Sequence, residues 1–368
     1  MEQYKKDFIS ILRAVVCQDG TNIPADADWD NIWSLANKNH LEAVVYAAAP
    51  EEWKPMFAST YYSMVARTVR QEHFLEQMEY ALSSAGVHYG LQKGSILKYD
   101  YPNPCLRFMS DMDLYIKLED RPTIRTLMKT IGGVFSGTES GDEQFRFDGN
   151  LGVEFHGRLL YRKTPHGIEN YPDWSLMDES KDRLTEEGYA LNLIGHAVSD
   201  LSKGGPGIRY ILDLWVYRHR HKPQPDWDVV WTRLQQDIIA EAAQNLIDLS
   251  EYLFTGEEAT ELVHEMADYI LAGGLYGEAY RNAAAEAAKA GGKGKAVLRQ
   301  FFRNREEFVN RYPWLRERLY LLPFAWILRG FNSLYRHPRI VRSWLNRMKA
   351  VNSQTIKEQN ERLKRYGL

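Results

Sequence analysis

The chain has 368 residues, 44% of them hydrophobic and 26% charged, a balance that is typical of folded globular proteins and excludes a disordered chain. Two cysteines, Cys17 and Cys105, exclude a disulfide-built scaffold and a cysteine-built zinc site. The net charge of −3 hides an uneven distribution. Residues 299–368 carry 16 Lys or Arg and five Asp or Glu, a net of +11, so residues 1–298 carry −14.

The ends of the chain show no membrane-targeting pattern. The first residues, MEQYKKDFISILRAVV, lack the apolar core and cleavage site of a secretory signal, so we expect a cytoplasmic protein. The most apolar run, Leu319–Leu328, has about half the length that a membrane-spanning helix needs, and it contains Pro323. The sequence therefore predicts no transmembrane segment and favours a buried or interfacial helix for this run.

The length allows two or three domains at roughly 100–200 residues each, and the periodicity predicts an α+β protein. A long amphipathic pattern from Tyr61 to Leu82 ends at Gly86, a residue type that commonly closes helices. We expect four regions along the chain: an N-terminal helical region (1–85), an α/β core (86–185), a C-terminal helical region (186–298) and a basic, aromatic-rich helical tail (299–368). Helices of the third region are expected at Tyr189–Leu201, Ile208–His219 and Trp227–Leu253.

The expected core is a small mixed β-sheet embedded between the helical regions. Its predicted elements are strands at Val87–Leu91 and Asp111–Lys117, a helix at Arg121–Ile131, and strands at Gln144–Phe147 and Leu151–His156. The last two strands flank Asp148-Gly149-Asn150, a sequence that favours a hairpin turn. By contrast, the stretch that holds Asp142 and Glu143 is predicted to be a solvated loop.

Acidic residues share one face of this sheet. Alternation along a strand places Asp111 and Asp113 on one face and the intervening apolar residues on the other. In Leu151–His156, Glu154 and His156 likewise share a face. Neighbouring carboxylates repel unless a cation lies between them, and a hard divalent cation such as Mg²⁺ prefers such oxygen ligands. A solvated strand end is the alternative for an isolated Asp-x-Asp.

Lys93-Gly94-Ser95 follows the first predicted strand of the core. Glycine allows a ligand to approach the backbone closely, and a serine at a helix start offers a hydroxyl and N–H groups to phosphate oxygens. Three carboxylates and a phosphate-binding turn together predict metal-assisted phosphoryl or nucleotidyl transfer. The third carboxylate can serve as a general base.

The combination of these segments resembles a known family. LQKGSILKYDYPNPCLRFMSDMDLYIKLED and LGVEFHGRLL are similar to the uncharacterised bacterial nucleotidyltransferases of the polymerase-β-like superfamily. The flanking segments DWDNIWSLANKNHLEAVVYAAAP, LNLIGHAVSD, IRYILDLWVYRH and DWDVVWTRL resemble the helical regions of that family. The resemblance covers most of residues 28–235.

The resemblance implies roles for individual residues. Asp111 and Asp113 would bind metal, Glu154 would be the third carboxylate, and Gly94 and Ser95 would contact a nucleoside triphosphate. The implied cofactor is Mg²⁺, as two ions, with Mn²⁺ as an alternative. Fifteen residues separate Ser95 from Asp111, more than is usual in the superfamily.

Further candidates for the site are basic or lie on the flanking helices. Arg107 lies in the long segment between Ser95 and Asp111, where it reaches the triphosphate or forms a loop salt bridge. Lys93 neutralises phosphate or caps its strand. The substrate-cleft candidates are His156, His196, Arg209 and Asp213. His196 with Asp200, and Arg209 with Asp213, are spaced i and i+4, so each pair can meet on a helix face.

Arginines and aromatic residues alternate in the tail. They are Arg299, Arg303, Arg311, Arg318, Arg329, Arg336, Arg339, Arg342 and Arg347, interleaved with Phe301, Phe302, Tyr312, Trp314, Tyr320, Trp326, Tyr335 and Trp344. Such a composition suits nucleic acid, an anionic membrane or a protein partner. Alternatively, the aromatics pack internally and the arginines pair with the acidic remainder of the chain.

The sequence thus favours a Mg²⁺-dependent nucleotidyltransferase that transfers a nucleoside monophosphate to an acceptor hydroxyl and releases pyrophosphate. The expected partners are an NTP and an unidentified acceptor, which is a small molecule, a peptide, a protein or RNA. Two alternatives stay open: a non-catalytic nucleotide-sensing or toxin–antitoxin-type module, and an RNA-directed enzyme that uses the basic tail.

Overall fold

The structure is a computed structural model that describes residues 1–24, 26–139, 142–165, 167–275, 279–302, 315, 317–336 and 338–368. Helices dominate it, and a mixed sheet of five strands lies between the N-terminal and C-terminal helices. The α+β fold class that the sequence predicts is therefore confirmed.

The N-terminal region is helical, as expected. Its helices are α1 (Gln3–Leu12), α2 (Trp29–Asn39), α3 (Glu42–Ala48) and α4 (Lys54–Ser84). The start of α2 is capped by Asp28, whose carboxylate accepts a hydrogen bond from the Asn31 amide at 3.1 Å. The chain leaves α4 through Gly86, whose φ of +68° is a conformation that glycine adopts without steric cost. The predicted helix and its stop are thus confirmed, but its buried face mixes apolar residues with Thr68 and Gln71.

The five-stranded sheet has one parallel pair at its centre. Its strands are β1 (Tyr89–Leu91), β2 (Asp111–Ile116), β3 (Val134–Glu139), β4 (Asp142–Phe147) and β5 (Leu151–His156), in the spatial order β1-β2-β5-β4-β3. A four-residue helix, α5 (Gly94–Leu97), follows β1, and α6 (Arg121–Thr130) follows β2. Strands β2 and β5 are parallel, whereas the other neighbouring strands are antiparallel.

Strand register brings the acidic residues together. In the parallel pair, Asp113 lies beside Glu154. The β4–β5 hairpin places Gln144 on the other side of Glu154. Its turn contains Gly149 and Asn150 with φ of +71° and +59°, which glycine and asparagine tolerate. The hairpin that the sequence predicts is confirmed.

The two faces of the sheet differ in polarity. The apolar face packs on α4 and α6 in one core, which is formed by Leu75, Met78, Leu82, Met112, Leu114, Ile116, Ile124, Met128, Phe145, Val153 and Phe155 among others. Alternation then directs Asp111, Asp113 and Glu154 to the opposite face, as predicted. The carboxylates can therefore share a site without disturbing the core.

Small hairpins and five helices follow the sheet. The hairpins are β6 (Leu160–Thr164) with β7 (Gly167–Tyr171), and β8 (Met177–Asp178) with β9 (Arg183–Leu184). The helices are α7 (Glu186–Leu201), α8 (Ile208–Arg220), α9 (Trp227–Gln236), α10 (Ala240–Phe254) and α11 (Glu261–Ala272). The single helix expected over Trp227–Leu253 is wrong. It is interrupted at Ile238, with φ of +58°, where the Asp237 carbonyl accepts a bond from the Lys163 amide at 2.8 Å.

Helices from both sides of the sheet share one large core. Residues of α1, α2 and α3 pack with residues of α7, α8 and α10, including Phe8, Ile32, Val44, Leu193, Leu212 and Leu246. The N-terminal and C-terminal helical regions are therefore packed together around the polar face of the sheet. The domain boundaries at residues 85, 185 and 298 stay predictions.

Further helices follow α11, and the last of them lie in the tail (299–368). They are α12 (Ala279–Lys289), α13 (Lys293–Phe301), α14 (Leu322–Arg336), α15 (Pro338–Ala350) and α16 (Ser353–Arg365). Helix α12 packs against α15 and α16 around Ala283, Ala287 and Met348. Within the described ranges, no helix has both the length and the apolar content to cross a bilayer. Arg303, Arg311, Tyr312 and Trp314 of the predicted basic tail lie outside those ranges.

Candidate active site

Asp113 is at the centre of the polar face and accepts two hydrogen bonds from cations. Its Oδ1 lies 2.9 Å from Lys93 Nζ and 2.7 Å from His156 Nε2. Asp113 is only 7% exposed. Burial acts to raise the pKa of Asp113, but Lys93 and His156 outweigh it and hold the pKa well below its usual range.

His156 lies between two carboxylates. Besides its bond to Asp113, its Nδ1 lies 3.2 Å from Asp142 Oδ2. Burial alone would lower the pKa of the imidazole, but the hydrogen bonds to Asp113 and Asp142 outweigh it and raise the pKa to about 9. The imidazole is thus a second fixed cation at the site near neutral pH.

Glu154 completes the carboxylate face beside Asp113. Its Oε1 accepts a hydrogen bond from Gln144 Nε2 at 2.9 Å. Burial, followed by the charges of Asp113 and Asp111, raises the pKa of Glu154 to about 7. A carboxyl with this pKa can exchange a proton near neutral pH.

Asp111 is positioned from the helix α4. Arg67 donates to the carbonyl oxygens of Met109 and Ser110, and Gln71 Nε2 donates to the Met109 carbonyl at 2.9 Å. These bonds fix the chain just before β2. Ser110 Oγ then donates to Asp111 Oδ1 at 2.6 Å. Asp111 consequently enters the same face of the sheet as Asp113.

The turn after β1 places Lys93 and Gly94 at the edge of the site. Lys93 has φ of +49° and ψ of −125°, a conformation that costs a side-chain-bearing residue about 1–3 kcal/mol. Tyr189 of α7 stabilises it by donating to the Lys93 carbonyl at 2.9 Å. A Cβ at Gly94 would lie 3.1 Å from Arg107 Nη1, so this position favours a residue without a side chain.

Ser95 is turned away from the site. It is 1% exposed, its Oγ lies 3.6 Å from Met109 Sδ, and its amide donates to the Gln92 carbonyl. A phosphate contact by this hydroxyl would need a different side-chain rotamer. The predicted nucleotide contact of Ser95 stays a prediction.

Arg107 forms a buried ion pair with Asp213 of α8. Its Nε donates to Asp213 Oδ1 at 2.8 Å and its Nη2 to Oδ2 at 2.7 Å, and Tyr101 also donates to Oδ1 at 2.7 Å. The salt-bridge alternative for Arg107 is thereby confirmed. Both oxygens of Asp213 are used in this way, and none of the described contacts joins Arg209 to Asp213, although their spacing on α8 allows it.

Arg209 packs beside this ion pair, and few polar groups compensate its buried charge. It is 4% exposed, its Nη1 donates to the Phe108 carbonyl at 3.1 Å, and its Nε has no hydrogen-bond partner among the described residues. Burial and the neighbouring Arg107 lower its pKa. Two guanidinium groups and one carboxylate leave a net positive charge on this wall of the site.

His196 and Asp200 meet on α7, as their spacing predicts. His196 Nδ1 lies 3.5 Å from Asp200 Oδ2, and Lys203 Nζ donates to Asp200 Oδ1 at 3.1 Å. Burial lowers the pKa of His196 to about 4, so the imidazole is neutral near pH 7. This pair forms a polar wall that faces the carboxylates.

A cavity of about 470 Å³ lies between the sheet and the helices. Its lining residues are Lys93, Gly94, Arg107, Met109, Ser110, Asp111, Asp113, Asp142, Gln144, Glu154, His196, Asp200, Lys203, Gly205, Arg209, Tyr210 and Asn282. The structure thus brings eight of the eleven predicted site residues to one cavity. Ser95, His156 and Asp213 lie behind the lining and contact Met109, Asp113 and Arg107 in turn.

The sequence interpretation of Asp142 and Glu143 is wrong. Both belong to β4, where Asp142 lines the cavity and Glu143 is fully buried and binds Arg125. Sequence reasoning also missed Gln144, which shares the cavity face with Asp142. Extending the alternation of Gln144–Phe147 by two residues would have found both, because alternate residues of a strand share a face.

The residues of the polar face fit a divalent cation. Ligand atoms of Asp113, Glu154 and His156 lie within 4.8 Å of one another, and Asp111 adds a further carboxylate to the same cavity. Carboxylate oxygens are the ligands that Mg²⁺ prefers. Burial, followed by the charges of Asp113 and Asp111, raises the pKa of Glu154, and a bound cation would offset the carboxylate charges of this face.

One comparison with known proteins identifies the chain. A sequence model of a family described as uncharacterised nucleotidyltransferase matches residues 25–255, which is more than half of the chain and includes every residue of the carboxylate face. No curated protein and no solved structure matches it. With the predicted resemblance confirmed in this way, the chain belongs to the uncharacterised nucleotidyltransferase family.

Proposed function

We propose that this protein is a Mg²⁺-dependent nucleotidyltransferase that transfers a nucleoside monophosphate from an NTP to an acceptor hydroxyl and releases pyrophosphate. The main support for this proposal is that Asp111, Asp113 and Glu154 share one face of the sheet. This face opens into a cavity with arginines on its opposite wall. Family membership supports a transferase of this general kind.

The carboxylates take separate roles in this proposal. Asp111 and Asp113 hold Mg²⁺, with Mn²⁺ as an alternative, and Glu154 is the third carboxylate. When bound, the metal supplies charge that polarises the phosphate and stabilises the entering and leaving oxygens. Glu154, with a pKa near 7, accepts the proton of the acceptor hydroxyl.

Basic groups near the turn after β1 bind the triphosphate. Lys93 Nζ lies at the cavity edge beside Asp113, and Gly94 also lines the cavity. Arg209 provides a guanidinium whose Nε has no hydrogen-bond partner among the described residues. Together with Arg107 it makes this wall positively charged. Arg107 is held by Asp213 and contributes mainly by positioning this wall.

The acceptor binds in the remaining part of the cavity. This wall combines neutral His196 with Asp200, Tyr210 and Asn282. Such groups suit a polar acceptor that presents a hydroxyl. A small molecule, a peptide, a protein and RNA all satisfy this chemistry, so we leave the acceptor open.

The proposed reaction balances without another reactant. The acceptor oxygen attacks the α-phosphorus, and its proton passes to Glu154. The bond between the α-phosphorus and the bridging oxygen breaks, and pyrophosphate leaves with that oxygen. Lys93 and the arginine wall offset the charge of the departing group.

A nucleotide-loading assay tests the proposal. The purified chain is incubated with each of four labelled NTPs, with and without Mg²⁺. We expect metal-dependent binding that Asp111→Ala plus Asp113→Ala abolishes. The matched control is Asp228→Ala plus Asp248→Ala, which removes two exposed carboxylates of α9 and α10. Absence of NTP binding in the wild type, or equal binding by the Asp111/Asp113 variant, contradicts the proposal.

The same assay distinguishes the enzyme from the non-catalytic alternative. A nucleotide sensor binds NTP at the same cavity but releases no pyrophosphate with any acceptor. Low-molecular-weight, RNA and protein fractions of a cell extract provide the acceptor classes. Pyrophosphate release with one fraction supports the enzyme, whereas tight binding without release from any fraction supports the sensor.

A further inference from the structure

Helix α14 carries apolar residues on its exposed side. Its exposed face consists of Phe324, Ile327, Leu328, Phe331, Leu334 and Tyr335. Phe331 is 71% exposed and Tyr335 is 89% exposed. At 100° per residue these six positions span an arc of about 120°, a continuous stripe along the helix.

The opposite side of α14 already has its own packing partners. Ala325 is fully buried, and Leu322 and Trp326 pack with it around Leu315 and Leu321. A surface helix of a globular protein normally directs polar residues outward once its apolar side is packed. Among the described residues nothing covers this apolar face of α14, which therefore favours contact with a partner surface.

The surroundings of this face are cationic. From Arg318 to Lys357 the sequence has eight Lys or Arg and no Asp or Glu. The next helix, α15, exposes Arg339, Arg342 and Lys349. An apolar helix face within a cationic stretch of the chain has the composition of helices that lie in the interface of an anionic membrane.

Other occupants fit this face less well. Nucleic acid would use the arginines and stack on Phe331 and Tyr335, but it would leave the aliphatic side chains of Ile327, Leu328 and Leu334 without an apolar partner. A second copy would bring another cationic stretch against the first, and like charges repel. A bilayer with anionic headgroups satisfies both features at once.

We propose that α14 and α15 form a docking surface for an anionic lipid membrane. In the proposed complex α14 lies in the plane of the interface with Phe324, Phe331 and Tyr335 among the acyl chains. The exposed arginines and lysine of α15 contact phosphate headgroups. The candidate active site uses other elements, so this inference is independent of the proposed function.

Vesicle sedimentation of the full chain tests this surface. The probes are phosphatidylcholine vesicles and vesicles that also contain phosphatidylglycerol. We expect at least about tenfold tighter binding to the anionic vesicles and weakening by salt, since basic residues are attracted by anionic headgroups. Wild-type protein that fails to sediment with anionic vesicles, or binds both kinds equally, overturns the proposal.

Two variants test separately how the apolar face and the basic residues contribute to vesicle binding. Phe331→Asp should weaken binding to anionic vesicles by about tenfold or more, because a buried apolar contact is replaced by a charge. Arg339→Glu plus Arg342→Glu should remove the preference for anionic vesicles. The matched control is Tyr80→Asp, which changes a 78% exposed aromatic residue on α4 and should bind as the wild type does.

Further readouts distinguish other occupants. Because Phe331 is exposed, its variant should keep the wild-type unfolding midpoint, which shows that the protein still folds. Sedimentation equilibrium without lipid identifies a dimer that Phe331→Asp dissociates, and a filter assay identifies RNA binding. Either result without vesicle binding overturns the membrane proposal, as does an equal vesicle affinity for Phe331→Asp and the wild type.

Discussion

Lys93 Nζ lies 2.9 Å from Asp113 Oδ1, and His156 donates to the same oxygen at 2.7 Å. The protein therefore directs two of its own cations at a carboxylate that we propose as a metal ligand. The positive charges compensate the buried carboxylate in the absence of metal. They also repel an incoming cation, so metal affinity depends on both residues.

Removal of Lys93 should separate these two effects. In metal-free buffer, Lys93→Met should lower the free energy of unfolding by about 1–3 kcal/mol, because Asp113 loses a charged partner in a buried site. Added Mg²⁺ should raise the unfolding midpoint of this variant more than that of the wild type, since one competing cation is gone. Thermal unfolding with and without Mg²⁺ measures both.

Lys117→Met is the control for this variant. Lys117 pairs with Glu179 at 2.7 Å, but both side chains are substantially exposed. An exposed pair contributes about 0–1 kcal/mol, so this change should affect neither stability nor the Mg²⁺ response. An equal Mg²⁺ response in Lys93→Met and the wild type would show that Lys93 does not oppose the metal.

Tyr189→Phe should disturb the turn that holds Lys93. Its hydroxyl donates to the Lys93 carbonyl, where the backbone has a positive φ. Loss of this bond should reduce the free energy of unfolding by about 0.5–1.5 kcal/mol and also weaken NTP binding, because the Lys93–Gly94 turn relaxes. Calorimetric NTP titration together with urea unfolding checks both effects.

A neighbouring tyrosine provides the matched comparison. Tyr217 of α8 also donates to a backbone carbonyl, that of Glu186, at 3.2 Å. Tyr217→Phe should reduce stability by a similar amount and leave NTP affinity unchanged. If both variants lose affinity equally, the effect reflects general destabilisation and the role given to Tyr189 is wrong.

Much of the site could be predicted because its residues lie within single strands, whose pattern is visible in the sequence. Alternation along Asp111–Lys117 correctly placed Asp111 and Asp113 on one face, alternation along Leu151–His156 placed Glu154 with His156, and the turn chemistry of Gly149 and Asn150 identified the hairpin. These features depend on the period of a strand, which a sequence displays directly.

The predictions that failed concern contacts that depend on long-range packing. Asp213 pairs with Arg107, which is 106 residues away, in preference to Arg209 on its own helix. Glu143 is buried against Arg125 although its sequence surroundings indicate a loop. Tertiary contacts override local spacing in both cases, and no local pattern contains the partner.

Asp213→Asn should be strongly destabilising. It leaves Arg107 and Arg209 buried near each other without a carboxylate, and breaking a buried ion pair typically costs about 3–5 kcal/mol. Urea unfolding measures the loss. Asp228→Asn, an exposed residue in the first turn of α9, should change stability by less than about 1 kcal/mol. A small effect of Asp213→Asn would exclude a structural role for the pair.

Glu42 should give the protein a pH-dependent stability. It is 4% exposed, and its Oε2 has no hydrogen-bond partner among the described residues. Burial raises the pKa of Glu42 from 4.5 to about 7. The folded state therefore keeps a proton that the unfolded state loses above pH 4.5, so this contribution falls as the pH rises from 4.5 through 7.

The expected size follows from the shift of the Glu42 pKa. Between pH 5 and pH 8 the wild type should lose about 2–3 kcal/mol of unfolding free energy that Glu42→Gln does not lose. Urea unfolding at the two pH values measures the difference. Glu241→Gln, an exposed residue of α10, should behave as the wild type does. Equal pH dependence in Glu42→Gln and the wild type would show that Glu42 ionises normally.

Pyrophosphate release tests the proposed chemistry most directly. The wild-type chain is incubated with NTP, Mg²⁺ and each acceptor fraction, in parallel with Glu154→Gln and Asp111→Ala plus Asp113→Ala. We predict release by the wild type with at least one fraction, loss of release in both variants, and retained NTP binding in Glu154→Gln. Equal release by the wild type and the Asp111/Asp113 variant would contradict nucleotidyl transfer at this carboxylate face.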